Sequence, residues 1–500
     1  MNLKVYIETY GCQMNVGDSQ VAASILTKEG YAICNNMEQA DVILVNTCSV
    51  RDNAEKRVLG RLDVFGQQKK RRRVIVGVMG CMAQRLREKL LDNKNVDFCI
   101  GPDSYRNLPR LIEHIMQGGQ PLTETILSRT ETYAEIEPLR RDSNGVSAFI
   151  SIMRGCNNMC SYCIVPYTRG RERSRDPKSI VREAEEVVKQ GFKEVTLLGQ
   201  NVDSYMWRNP DNPTESVNFA QLLELVALVD KKLRVRFQTS HPKDIRRGVL
   251  YTMAMYPNIC PHIHLPVQSG SNSMLSKMNR KYTREHYLEK IAAIREILPT
   301  CAITTDIIAG FCGESEEEHQ QTLSLMKEVG FDSAFMFQYS QRPNTLAARQ
   351  YPDDVPTEVK TERLNQIIAL QNQLSLASNK KDVGKEFEVL VEGYSKRSQN
   401  QEGGVKQMQG RTPQNKVCVF DAPQSVKPGD FIFVKILSCS SATLLGEIIE
   451  PKKRLAEKLG ERIGGKLNEI FKQQGGSKRG SGGGGSGSGD GGGKEKKLSR

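Results

Sequence analysis

The chain has 500 residues, 71 Lys+Arg against 58 Asp+Glu, and 13 cysteines. Its longest plainly apolar run, Val74–Ala83, is shorter than the roughly 20 residues needed to cross a bilayer, and the start MNLKVYIETYGC has no basic segment leading into an apolar one, which argues against membrane insertion and secretion. The net charge of +13 is unevenly held: residues 451–500 carry 13 Lys+Arg and 5 Asp+Glu, so only +5 belongs to the first 450 and overall charge does not mark a generic nucleic-acid binder.

An odd cysteine count without an export signal implies reduced thiols and a cytoplasmic setting, where clustered cysteines serve metals or catalysis more often than disulfides.

Short β-branched runs alternate with amphipathic stretches up to about residue 120, the pattern of parallel α/β units. Strands are expected at Lys4–Tyr10, Val42–Asn46, Val74–Val78 and Val96–Ile100, with helices at Ser19–Glu29, Asp52–Phe65, Ala83–Leu91 and Asp103–Met116. Residues 121–144 are polar and aperiodic and read as a linker.

A second series follows over residues 145–380. Its strands are Ala148–Met153, Glu194–Leu198, Leu233–Thr239, His262–Leu265, Ala302–Ile308 and Asp332–Tyr339, separated by helices and closed by a long helix at Thr357–Asn379. Six βα units with right-handed crossovers favour a partial (βα)6 barrel over an open doubly wound sheet. From 381 to 450 the period becomes 2, with strands Glu386–Val391, Val417–Phe420, Asp430–Ile436 and Thr443–Ile449, which predicts a small β-barrel. Residues 451–500, with Gly475–Gly493 nearly all Gly and Ser, read as a flexible basic tail.

The chemistry concentrates in Cys156-Asn-Asn-Met-Cys160-Ser-Tyr-Cys163, just after the first strand of the second series, where βα barrels build their active face. Three thiolates on one loop can hold three irons of a cubane and leave the fourth open. A zinc site and buried free cysteines are the competing readings; structural zinc would need a closed fourth ligand, and no fourth Cys or His lies near in sequence.

In the first domain Cys12, Cys48 and Cys81 each fall one to three residues past the end of a different strand, on the sheet edge where ligands bind. From the residues alone, three converging ligands and three unrelated buried thiols are equally open. His262 and His264, two apart on a strand, read as polar barrel lining rather than a metal pair. The basic run Lys69–Arg73 reads as a solvated face, whereas Arg169–Arg175 beside the cluster loop could fix phosphates or form an ion-pair scaffold.

The Cys-x3-Cys-x2-Cys spacing resembles the radical S-adenosylmethionine (SAM) superfamily. RGCNNMCSYCIVPYTRGRERSR (Arg154–Arg175), YGCQMN (Tyr10–Asn15), LLGQNVDSY (Leu197–Tyr205), HLPVQSGS (His264–Ser271) and TDIIAGF (Thr305–Phe311) are similar to the methylthiotransferases, over roughly Met1 to Glu450. Gln13-Met14-Asn15 after the first cysteine resembles the MiaB type. Two departures are Cys312 and Asn344, where the family usually has Pro and Gly.

The resemblance implies two [4Fe–4S] clusters, a radical-SAM cluster on Cys156, Cys160 and Cys163 and an auxiliary one on Cys12, Cys48 and Cys81. It also implies SAM contacts from Tyr162, Gly199, Gln200 and Gln268, and no acid/base pair. The last module, residues 381–450, resembles a TRAM domain, with Arg411 and Lys416 as phosphate contacts. The implied reaction is methylthiolation at C2 of N6-isopentenyladenosine next to the tRNA anticodon: a 5′-deoxyadenosyl radical removes the hydrogen, the auxiliary cluster delivers sulfur, and a second SAM gives the methyl group.

The expected partners are the tRNA anticodon loop and an electron donor such as a flavodoxin-type reductant, and a monomer is the simplest state. Two alternatives stand: another methylthiotransferase branch, acting on threonylcarbamoyl-adenosine in tRNA or a ribosomal-protein aspartate, and a non-catalytic iron–sulfur RNA-binding module.

Overall fold

The computed structural model describes residues 3–49, 52–140, 144–396, 398 and 407–450; the expected tail lies outside them. The first 450 residues form one compact unit. No helix among the described residues is long and apolar enough to cross a membrane.

The chain begins with β1 (Lys4–Tyr10), α1 (Gln13–Lys28), β2 (Ala32–Ile33), β3 (Val42–Thr47), α2 (Asp52–Arg71), β4 (Ile75–Gly80), α3 (Cys81–Leu86), β5 (Phe98–Ile100), α4 (Leu108–Met116) and β6 (Leu122–Glu124). The strands pair in parallel in the order β2-β1-β3-β4-β5-β6. Every residue of β3 (VILVNT) and β4 (IVGVMG) is buried, because helices cover both faces of a central parallel strand and select a continuous apolar run.

The segment expected as a linker contributes β6 to this sheet, and its Tyr133 and Ile136 pack into the core under α1. Short strands with few apolar residues leave no period to detect, so 121–144 looked structureless. Helix α1 also begins six residues earlier than its apolar pattern, at Gln13, directly after Cys12 as N-cap.

Next come β7 (Ser147–Ser151), β8 (Met153–Arg154), α5 (Val165–Arg169), β9 (Arg173–Ser174), α6 (Pro177–Lys189) and β10 (Glu194–Leu198). The hairpin strands β11 (Met206–Arg208) and β12 (Ser216–Asn218) precede α7 (Phe219–Ala227), β13 (Arg234–Gln238), α8 (Arg247–Met255), β14 (His262–His264) and α9 (Asn272–Lys277). The series ends with α10 (Arg284–Ile297), β15 (Ala302–Ala309), α11 (Glu316–Val329), β16 (Ser333–Gln338), α12 (Leu346–Gln350) and α13 (Thr357–Lys380). Two three-stranded parallel sheets, β7-β10-β13 and β14-β15-β16, follow one another, joined by a bridge from Val235 to Ile259 and by Ser240 N–H donating to His264 O at 3.2 Å. Among the described residues β7 and β16 do not pair, so the barrel is partial.

Its helices end where local chemistry says they should. Ser315 and Glu318 form a capping box at the start of α11, and Gly330 ends it in the left-handed region.

Strands β17 (Glu386–Tyr394), β18 (Gln407–Arg411), β19 (Val417–Asp421), β20 (Phe431–Cys439) and β21 (Leu444–Ile449) close into a barrel in the order β17-β18-β19-β21-β20. This barrel is anchored at the start of β13. Arg234 donates to Arg411 O at 2.9 Å and Glu388 O at 2.7 Å, and Arg236 donates to Thr412 O and Pro413 O, both at 2.9 Å. It therefore packs at the N-terminal end of the strands, opposite the end that carries the cysteine loop.

Candidate metal and cofactor site

Tyr10, Thr47 and Gly80 close three adjacent strands in register, so Cys12, Cys48 and Cys81 emerge from one edge of the first sheet. Gly80 has φ +92°, and a Cβ there would collide with the Asn46 side chain; only glycine lets β4 turn sharply enough to start α3 at Cys81. On the neighbouring strand, a Cβ on Gly11 would lie 2.7 Å from Cys48 Cβ, which places the Cys12 turn against Cys48.

The thiols feel one another. Cys12 is lowered to about 6, chiefly by a hydrogen bond with Cys48 and further by the Arg169 charge and the backbone N–H groups of Asn15 and Met14, against the opposing effect of burial. Cys81, wholly buried, is pushed up by desolvation, with Arg169 opposing it.

The second set lies on the loop after β8. Gly155, at φ +79°, has no room for a side chain because the Arg171 carbonyl occupies that space, and the turn it makes presents Cys156. Ser161 N–H donates to Met278 O and Ala347 N–H donates to Ser161 O, which pins the loop between Cys160 and Cys163. Arg280 is buried beneath it and donates from Nη1 to Cys160 Sγ at 3.2 Å and to Tyr162 Oη at 3.3 Å. Burial pushes Cys156 up to about 11 and Cys163 up to about 12, so metal binding here must displace protons.

Among the described residues no three His, Cys, Asp or Glu side chains gather for a single metal ion. Thiols on separate strand ends and along an extended loop suit the corners of a cubane, whose ligands are spread over several irons, and the all-thiol donor set is that of iron–sulfur clusters.

Tyr162 lies edge-on to Phe311, at a centroid distance of 6.5 Å. Gly199 follows β10 directly, packed so closely on Met153 that a Cβ would lie 2.6 Å from its Cγ. Gln268, at φ +73°, bridges to Ile307 past the end of β14. All three, with Gln200, lie at the C-terminal strand ends on the side of the cysteine loop.

Besides Gln200, the same rim holds polar groups that no sequence motif singled out. Asn158 Nδ2, Gln200 Oε1, Asn201 Oδ1 and His241 Nε2 are buried and have no hydrogen-bond partner among the described residues. Such atoms are costly to leave unmet, so they mark where a polar ligand fits. Desolvation raises Asp203 to about 7, and burial together with Arg280 and Lys243 lowers His241 to about 2, keeping its ring neutral. Each follows a strand end, the one signal that would have found them.

Other expectations resolve differently. His262 and His264 share Thr304 Oγ1, at 3.2 and 3.0 Å, as inner lining. The run Arg169–Arg175 is a scaffold: Arg169 pairs with Asp18, Arg173 with Asp103, and Arg175 with Glu183, all buried. Lys416 points inward to Asp382 at 2.7 Å and Asp332 at 3.4 Å, and Arg411 is turned to Glu392 at 3.1 Å, so neither is a ready phosphate contact. Lys416→Met should cost about 1–3 kcal/mol in urea unfolding and leave the salt dependence of RNA affinity unchanged, whereas a phosphate contact would lower that slope by about 0.7.

Three family profiles match in chain order: the uncharacterized protein family UPF0004 over residues 4–101, the radical SAM superfamily over 150–326, and the TRAM domain over 380–449. The tRNA-2-methylthio-N(6)-dimethylallyladenosine synthase of Phocaeicola vulgatus is 55% identical over 448 residues, covering 89% of this chain and 96% of that protein. That of Bacteroides thetaiotaomicron is 54% identical over 447 residues, with the same coverage. The chain belongs to this synthase family.

For the synthase family the radical SAM domain brings a [4Fe–4S] cluster and SAM, and the TRAM domain belongs with tRNA binding. Among solved structures, the radical SAM methyltransferase TsrM from Kitasatospora setae aligns with a TM-score of 0.54 at 14% identity, over 70% of this chain and 74% of that one, a likeness of fold alone.

Proposed function

We propose that the protein methylthiolates C2 of N6-isopentenyladenosine next to the anticodon of tRNA. The observation that carries this is the pairing of two three-cysteine sets in one compact unit, in a chain 55% identical to a synthase of that name.

In this reading Cys156, Cys160 and Cys163 hold the radical-SAM cluster, and Cys12, Cys48 and Cys81 an auxiliary [4Fe–4S] cluster. The bound groups supply one-electron cleavage of SAM, hydrogen abstraction and sulfur. The chain supplies placement. Tyr162, Gly199, Gln200 and Gln268 border the SAM pocket, with the unmet groups of Asn201 and His241 beside them. Arg280 steadies Cys160 and Tyr162 together.

The target base must leave its stack to reach the barrel. Phe335 on the edge strand β16 is 55% exposed, on the face away from the core, and lies edge-on to His264 at 5.7 Å. An aromatic face of this kind can take an unstacked base. We assign residues 1–120, 145–380 and 381–450 to the auxiliary-cluster, radical and RNA-binding parts, and infer a cytosolic monomer served by a flavodoxin-type reductant.

Nucleoside analysis after anaerobic turnover decides the substrate. Methylthiolation of isopentenylated tRNA with none on unmodified tRNA is expected; equal modification of both would overturn the assignment, and absence of 5′-deoxyadenosine would overturn the enzyme reading.

A further inference from the structure

Arg169 closes α5, six residues after Cys163, yet its guanidinium reaches into the first domain. Its Nη2 donates to Asp18 Oδ2 at 2.7 Å, while Arg154 Nη1 donates to Asp18 Oδ1 at 2.9 Å. Two guanidinium groups thus share this carboxylate, and the positive charge that remains faces the sheet edge. Helix α5, which ends at Arg169, packs against α3, which begins at Cys81, so the guanidinium lies beside that cysteine edge; burial opposes its charge, and Asp18, Cys81 and Cys12 are the groups that support it. Its other terminal nitrogen, Nη1, makes no full hydrogen bond among the described residues, although the residue is only 3% exposed, and the Cys81 thiol is the side chain near enough to feel a weak one from Arg169. An unmet charged donor in the interior is costly and therefore informative about what belongs there.

We propose that Arg169 is a positioning residue whose Nη1 donates a hydrogen bond to a small anionic sulfur ligand, sulfide or methanethiolate, brought to the metal held by Cys12, Cys48 and Cys81. The proposal rests on the reading of those cysteines as auxiliary-cluster ligands. The planar fork explains the choice of arginine, because one nitrogen stays with Asp18 while the other addresses the ligand, and the charge persists at any working pH. A lysine offers one point charge for both tasks. Since Arg169 and Cys163 share one short segment, the element that places the radical cluster also places the sulfur, and the two half-reactions are held in register by the chain itself.

The test uses the full chain carrying Cys156→Ala, Cys160→Ala and Cys163→Ala, so that iron reports the auxiliary site alone. Sodium methanethiolate, sodium sulfide and neutral imidazole are titrated in separate arms and followed by the electron paramagnetic resonance of the reduced cluster. Arg169→Gln should weaken methanethiolate, sulfide or both by about tenfold or more, with imidazole unchanged. The arm that weakens more names the physiological sulfur species.

Equal anion affinity in parent and Arg169→Gln at equal iron content overturns the role of Arg169, as does an equal loss for imidazole, which a structural defect would produce. Arg169→Lys keeps the charge and serves where the Gln variant fails to fold: weakened anion binding with imidazole retained supports the proposal, and unchanged binding overturns it. A triple-Ala parent without iron overturns the ligand reading instead.

Discussion

Alanine at Cys156, Cys160 and Cys163 together should abolish formation of 5′-deoxyadenosine and lower iron and sulfide content by about half. The complementary replacement of Cys12, Cys48 and Cys81 should halve the metal equally, yet leave SAM cleavage in place and remove only the methylthiolated product. The asymmetry follows from the architecture. The loop after β8 is pinned by Met278, Ala347 and Arg280, all from the barrel side. The other set hangs on the ends of β1, β3 and β4 in a separate sheet. Either set is lost without dismantling the other, so iron analysis and product analysis together assign each. Unchanged iron in either variant would contradict its ligand role.

Asp18→Asn is expected to be the most damaging single change at the joint between the first domain and the barrel, costing about 3–5 kcal/mol of stability. Asp18 comes from α1, is 2% exposed, and receives Arg154 and Arg169 from the barrel domain, with Tyr105 Oη at 3.4 Å. Removing its charge strands two buried guanidinium groups with Asp103 as the nearest counter-charge, 3.5 Å from Arg154 Nε. The urea midpoint of the metal-free chain should fall accordingly. Adding Arg154→Met should recover part of the loss, because the second change removes one of the stranded charges. A midpoint within experimental error of the parent would show that the network is dispensable.

Much of this is legible in the sequence. The six parallel strands of the barrel are short runs carrying β-branched or aromatic residues, in β13 (RVRFQ) and β14 (HIH) alternating with polar ones, and the capping box at Ser315 and Glu318 is a local signal that needs no tertiary help. The cysteine loop was equally plain, since its three ligands are close in sequence. The strand β18 and the strand β6 were missed, because QMQGR and LTE contain too little apolar material for a period to register.

The series of α/β units, the small β-barrel and the donor atoms are local properties of the chain, because each depends on residues within a few positions of one another. Where distant groups meet is a matter of folding. It brought Cys12, Cys48 and Cys81 to one sheet edge, turned the basic run Arg169–Arg175 inward onto Asp18, Asp103 and Glu183, and turned Lys416 from a candidate RNA contact into an internal strut. A charge looks the same in sequence whether it faces water or a buried carboxylate. Which partner it finds is set by long-range packing, since a buried ion must be paired and an exposed one need not be.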